Sequence, residues 1–411
     1  MTTDPAHARR GFPVSTTVQR RPQANHPEPP RRQRITISIY FVIAGAVMAV
    51  WGTRLPSVQA RLHAGPGALS LGLLGAAAGM LVGLHIGGRL VDRIGPHRLV
   101  LPAALTLAAT LALLGLPTTV TAFIAACTAF GAAHGLLDVA MNVAAARTQV
   151  AYGRPILQSI HATYSIGALL GAGAASLSAA AGIPSGRMFL GTAAVLAALL
   201  VLAPALDPLP CAPPALATGR GTARPRAVII ALGFLALCSL LGEGAAGDWS
   251  AIHLHTVLHA STALSATAYA LYSGAMAICR LTGDKISTRI GPVAHVRAGG
   301  LLAAASLGVG LLIPHPAAAL IGWTLFGAGL AGVVPAAVTA ASTARPHRAG
   351  RDIAAISTTG YVGMVAGPAA IGAIATATNL TAALALPAVL ALGVAVAATA
   401  VRPRKTTETP A

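Results

Sequence analysis

An all-α integral membrane architecture, twelve transmembrane helices in two pseudo-symmetric six-helix halves, is predicted by three features of this 411-residue chain. Only 9% of its residues are charged, against about 25% in an ordinary soluble domain. Its apolar residues gather in runs of about 20, the length a helix needs to cross a bilayer. Those runs fall six and six around a polar, proline-rich break at residues 207–226. The apolar mass is Ala, Leu, Val, Ile and Gly, with aromatics at 4%, and small residues let helices pack closely in lipid.

The elements follow in order. A disordered basic tail is expected over 1–34; it lacks the apolar stretch of a signal peptide. The first half, 35–206, carries spans at 35–55, 69–91, 98–116, 120–146, 156–180 and 187–206. A linker at 207–226 precedes the second half, 227–401. Its spans are 227–249, 262–286, 294–313, 317–342, 353–377 and 380–401. The tenth and eleventh are rich in Gly and Ala. Residues 402–411 form a second short tail.

Charge sets the expected orientation. With the N-terminus inside, the inner segments hold 24 of the 28 Lys and Arg residues, as positive charge on cytoplasmic loops requires. Only Arg54, Arg61 and Arg187 lie outside, and Arg280 lies within a span. Both termini are therefore expected in the cytoplasm. The formal net charge of +18 is a topology signal; no basic helix with interleaved aromatics suggests a nucleic-acid partner. Cys127, Cys211, Cys238 and Cys279 show no disulfide framework or zinc spacing. Lys285 and Lys405 follow no phosphate-binding glycine loop.

The halves repeat. Gly87-Gly88-Arg89-Leu90-Val91-Asp92-Arg93-Ile94-Gly95-Pro96 follows the second span, and Gly283-Asp284-Lys285-Ile286-Ser287-Thr288-Arg289-Ile290-Gly291-Pro292 follows the eighth, at an offset of 196. The same offset links Gly167 and Gly171 to Gly363 and Gly367. A shared offset in separate regions argues for duplication and parallel halves.

Gly88 to Arg98 resembles the loop signature of the major facilitator superfamily, roughly G-x-L-x-D-R-x-G-R-[KR], departing from it at Pro96. Trp51-Gly52-Thr53-Arg54-Leu55-Pro56, Asp138-Val139-Ala140-Met141-Asn142, His161 to Gly167, Glu243 to Ser250 and Gly360-Tyr361-Val362-Gly363 are similar to the YbjJ-like bacterial inner-membrane branch, a distant relative of fucose-type permeases. The resemblance implies the major facilitator fold, a central cavity lined by helices one, four, seven and ten, and transport by rocking of the halves. It also implies a cytoplasmic gate in which Asp92 and Arg93 form a charge latch. Gly88 would allow close helix contact and Gly95 the turn, with Arg98 beside them. The alternative is that Arg93 and Arg98 serve topology alone. Asp284, at the position matching Gly88, suggests a displaced latch with Arg280 or Arg289, on the same helix face one turn earlier.

Of ten acids, only Asp138 and Glu243 fall well inside spans, with Asp248 near an outer end. An ionised group at mid-bilayer costs about 2.5–3.5 kcal/mol on insertion scales, so such residues usually face a cavity. His134, Asp138 and Asn142 recur every four residues and form one polar stripe. A carboxylate near an imidazole has the parts of a proton relay; the alternative is a structural hydrogen-bonded pair. His161 is a further candidate. Arg54, Trp249 and Tyr361 are candidates to contact a solute in the cavity, while Trp51 reads as an interfacial anchor. His253, His255 and His259 share an outer loop without acids or Cys, so a solvated loop is expected there rather than a metal site.

No catalytic grouping or cofactor motif is found, so neither an enzyme nor a cofactor is expected. The expected function is secondary transport of a small solute, coupled to protons, by a monomer whose partners are the bilayer, the solute and the proton. Alternatives are efflux of a drug or secondary metabolite, or a membrane sensor that no longer transports.

Overall fold

The computed structural model describes residues 31–63, 65–202 and 226–403. Most of both expected tails and nearly all of the linker lie outside the described residues.

The first half runs α1 (Arg31–Leu62), α2 (Pro66–Ile94), α3 (Pro96–Leu113), α4 (Val120–Tyr152), α5 (Leu157–Ala180) and α6 (Ser185–Leu202). The second runs α7 (Arg226–Ile252), α8 (Thr262–Ile290), α9 (Pro292–Leu312), the pair α10 (Pro316–Leu330) and α11 (Val333–Ala344), then α12 (Ala349–Ala377), and the pair α13 (Leu380–Ala383) and α14 (Ala385–Ala397). Nine spans among the described residues are long and apolar enough to cross a membrane. Of the other three segments, α6 is apolar but shorter, over Ser185–Val201; α5 is polar at its start, and α8 carries Arg280, Asp284, Lys285 and Arg289.

Each half builds its first hairpins alike. Gly95 and Gly291 adopt φ of 82° and 81° and close α2 and α8. A side chain is strained there and glycine is not. The following Pro96 and Pro292 start the next helix, where a missing N–H costs nothing. Helix pairing repeats as well: α1 packs on α5 as α7 does on α12, and α2 on α4 as α8 does on α10.

The pairs pack backbone to backbone. A Cβ at Gly167 would strike the Val42 carbonyl on α1, and one at Gly131 the Ala76 carbonyl on α2. Backbone cannot move aside as a rotamer can. Gly167→Val and Gly131→Val should each cost about 1–3 kcal/mol, the range for overpacking. The thermal unfolding midpoint of purified protein in detergent reads this; an unchanged midpoint would mean the helices can separate freely.

Three expectations change at this level. α1 begins at Arg31 and passes through Pro56 to Leu62, beyond the expected 35–55. Pro56 interrupts only one backbone bond, to exposed Gly52. Trp51 is no interfacial anchor: it is 5% exposed and packs among Phe123, Phe130 and Phe189 with centroids at 6.1, 5.9 and 6.2 Å. His253, expected in a solvated loop, is buried in a π-helical turn, His253–Val257, that extends α7.

The tenth span is broken at Ala331-Gly332. Pro335 has no N–H to offer the Ala331 carbonyl one turn back. The Arg280 Nε of α8 donates to that carbonyl instead, at 3.4 Å.

Candidate functional site

The halves meet along α2 with α12 and α5 with α8, with further contact of α4 and α5 against α11. Among the described residues, seven hydrogen bonds cross between them at the end that holds Arg31, Gly95 and Gly291.

Two acids dominate that end. Asp92, closing α2, accepts from the Gly350 N–H at 2.8 Å and the Arg351 N–H at 3.3 Å. Arg351 Nε also reaches it at 2.8 Å. Asp284 on α8 accepts from the Gln158 and Ser159 N–H groups at 3.1 and 2.9 Å. Each carboxylate thus fills the second and third orphan donors of a helix start, α12 in one case and α5 in the other. Gln149 Oε1 takes the Ile156 and Leu157 N–H groups at 2.9 Å each, while its amide donates to Thr339 across the halves at 3.1 Å. The start of α5 is therefore fully satisfied.

These contacts correct the expected partners. Asp92 pairs with Arg351, not Arg93; Arg93, Arg98 and Arg289 are exposed. Asp284 binds backbone, not Arg280 or Arg289. By the 196-residue offset Asp284 sits four residues early on α8, and Gln158 four residues late on α5. Both shifts point into the bundle, so the second contact lies about one helical turn deeper. Gly88 faces Gly350 and Ala354 so closely that a Cβ would stand 2.7 Å from the Ala354 Cβ.

Farther in lies a polar layer drawn from both halves. Asp138 on α4 is 7% exposed. The Asn142 amide donates to its carbonyl at 2.9 Å and to Oδ1 at 3.3 Å. The spacing of four thus orients the carboxyl, while Oδ2 makes no full hydrogen bond. The Ser357 and Tyr361 hydroxyls of α12 lie close enough to interact with the carboxyl. His134 is buried on the same stripe, but no hydrogen bond joins it to Asp138 among the described residues.

Among the described residues, Glu243 on α7 has a cation beside it and Asp138 has none. Arg280 Nη2 stands 4.0 Å from its Oε2, with the side chains 11% and 26% exposed. Tyr164 of α5 lies within electrostatic reach of Glu243, Asp138 and Arg280, and Tyr361 within reach of both acids. His161, its ring tilted at 59° against Phe41 with centroids 5.0 Å apart, feels Arg280. Its Nδ1 meets the Leu157 carbonyl at 2.9 Å, which fixes the proton on Nδ1 and leaves Nε2 open.

The remaining candidates scatter. Asp248 is exposed, within reach of Tyr269. Trp249 packs over Gly372 of α12 with its Nε1 buried and unpartnered. Arg54, expected in the cavity, is 4% exposed and donates to the Ile183 carbonyl within its own half at 2.5 Å. Tyr164, Ser357, Arg351 and Gln149 were missed as site residues, and Arg280, expected only as a latch partner of Asp284, stands beside Glu243 instead. Arg280 had a readable signal, lying six residues inside the expected 262–286 span, whereas the other Lys and Arg residues fall at span ends or in loops and tails.

A family model of the Major Facilitator Superfamily matches residues 36–312 and 232–411. An uncharacterised MFS-type transporter of Yersinia pestis is 34% identical over 381 residues, covering 91% of this chain and 97% of that one. Among solved structures, the E. coli fucose:proton symporter FucP superposes with a TM-score of 0.72 at 14% identity, over 90% of this chain and 98% of its own. The human organic anion transporter TETRAN gives 0.73 at 17%, over 90% and 100%. At such identities the structures bear on fold alone. The family model reaches from the first span to the chain's end and the Yersinia relative aligns along nearly its full length, so this multi-pass membrane protein belongs to the major facilitator superfamily of transporters.

Proposed function

We propose that the protein is a proton-coupled secondary carrier of a small solute in a bacterial plasma membrane, working as a monomer by rocking of its two halves. The bridged end is the cytoplasmic one, in keeping with its Arg-rich loops, and the state described is outward-facing. The observation that carries the reading is Asp138, a buried carboxyl without a cation partner among the described residues, oriented by Asn142 and facing Ser357 and Tyr361 of the other half. An unpaired carboxylate at this depth is expensive, and a proton removes the cost. The shared fold with a fucose:proton symporter supports proton coupling and a polar solute. Glu243, Arg280, Tyr164, Tyr361 and His161 form the solute layer, with Asp248 and Trp249 towards its outer mouth.

The test is pH-jump transport in proteoliposomes, with pooled sugars, organic anions and organic cations as cargo. A cargo that accumulates with the proton gradient supports the reading. A cargo that moves without regard to the gradient overturns coupling. The charge of the layer favours one second reading, export of a cationic solute, because Asp138, Glu243 and Asp248 outnumber Arg280. Antiport, with proton entry driving cargo out, would identify it.

The gate gives its own prediction. Asp92→Asn removes the charge that holds Arg351 and two amides. Hydrogen bonds to a charged group are worth about 1.5–3 kcal/mol, so the inward-open population should rise roughly tenfold. Thiol labelling of an Ala354→Cys reporter, buried against Gly88, reads it as faster modification. Labelling equally slow in both backgrounds would remove Asp92 from the gate.

A further inference from the structure

Three arginines depart from the charge asymmetry of the chain, and the structure gathers them at one place. Arg54, Arg61 and Arg187 surround the turn between α5 and α6, at the end of the first half away from the bridged one. Arg54 donates to the Ile183 carbonyl, and its Nε is buried without a partner. Arg61 donates to the carbonyls of Gly115 and Leu114. Arg187 is exposed at the rim of a groove of about 370 Å³ between α3 and α6.

Carbonyls satisfy guanidinium protons but leave the charge uncancelled. Between residues 35 and 206 the only acids are Asp92 and Asp138. Asp92 lies at the opposite end, and Asp138 lies about 27 Å along α4 from Val120. No carboxylate of this half therefore neutralises the three. The groove beside them is apolar, walled by Ala109, Ala112, Leu113, Leu116 and Leu190. Its leucines are 42%, 71% and 62% exposed and look outward from the bundle, away from the second half. Guanidinium forks match phosphate oxygens, and long apolar walls match an acyl chain.

We propose that this groove seats an acyl chain of an anionic phospholipid, with Arg187 and Arg61 holding its phosphodiester. The bilayer supplies the counter-charge that the sequence omits, and the lipid staples α3 to α6 where the Gly115 and Gly186 backbones touch.

The test exchanges purified protein into nanodiscs of equal phosphatidylglycerol and phosphatidylcholine. Native mass spectrometry then counts the lipids that stay bound. Wild type should retain phosphatidylglycerol preferentially. Arg187→Gln should lower its retention roughly tenfold, the loss of one charge-assisted hydrogen bond, and leave phosphatidylcholine unchanged. Leu190→Trp, which fills the groove without touching the charge, should expel the lipid and carries the test should Arg187→Gln not fold. Equal retention of both lipids by wild type, or variants that bind like wild type, would overturn the proposal. So would displacement of the lipid by free glycerol phosphate, which would mark the site as one for a soluble anion.

Discussion

Asp138→Asn should abolish uphill, pH-driven accumulation while leaving downhill exchange of the same solute in place. One pH unit across the membrane is worth about 1.4 kcal/mol per proton, so one coupled proton sustains roughly a tenfold solute gradient. The variant should bring the inner concentration only to the outer one. Asparagine keeps the size of the side chain and its hydrogen bond with Asn142, so the layer should stay formed. Counterflow, in which labelled solute exchanges against unlabelled solute with no pH difference, should continue at a rate near that of wild type. If accumulation survives in Asp138→Asn, the proton is carried elsewhere. If counterflow is lost as well, Asp138 holds the solute itself.

Arg280→Met is expected to destabilise the second half, and adding Glu243→Gln should restore most of the loss. Removing one member of a buried ion pair typically costs 3–5 kcal/mol, because the other charge is left without a partner. Here the pair is long, at 4.0 Å, and Glu243 retains 26% exposure, so about 2 kcal/mol is expected. Arg280→Met also strands the Ala331 carbonyl that Pro335 cannot serve, and that part should persist in the double variant. Thermal midpoints of the two single variants and the double, in one detergent, give the coupling. Strict additivity would show that Arg280 and Glu243 do not interact and that the Ala331 contact is the larger role of Arg280.

Much of this architecture was legible in the chain, and the reasons are physical. Run length and the placement of arginine report the solvent each segment meets, so helix stands at every expected span, although α1 runs on to Leu62 and α4 to Tyr152, past the expected 55 and 146. The 196-residue offset predicted two equivalent hairpins, and Gly95 and Gly291 have nearly the same φ. The spacing of four between Asp138 and Asn142 predicted a contact that exists. The partners of Asp92 and Asp284 were not legible. Their acceptors meet backbone N–H groups, which every residue but proline carries, so Gly350, Gln158 and Ser159 give no signal by type. Arg351 had a signal, but it was spent on topology. The burial of Trp51 escaped because a tryptophan near a span end reads as a headgroup anchor unless its ring neighbours are known. The break at Ala331 escaped because Pro335 inside an Ala-rich run looks like one more tolerated membrane proline.

The one-turn difference in depth between the two acidic caps gives the closed end a directional sensitivity. Asp92 shares its charge with an arginine side chain that is 46% exposed, within reach of dissolved ions. Asp284 lies deeper and is held by amides that no counter-ion can replace. Screening in water acts over about 8–10 Å near physiological ionic strength and much less inside protein. Raising the salt concentration on that side therefore weakens the shallow cap and spares the deep one. The two copies of an ancestral hairpin have come to answer to different surroundings, one to the ionic composition of the adjoining compartment and the other only to the packing of helices around it.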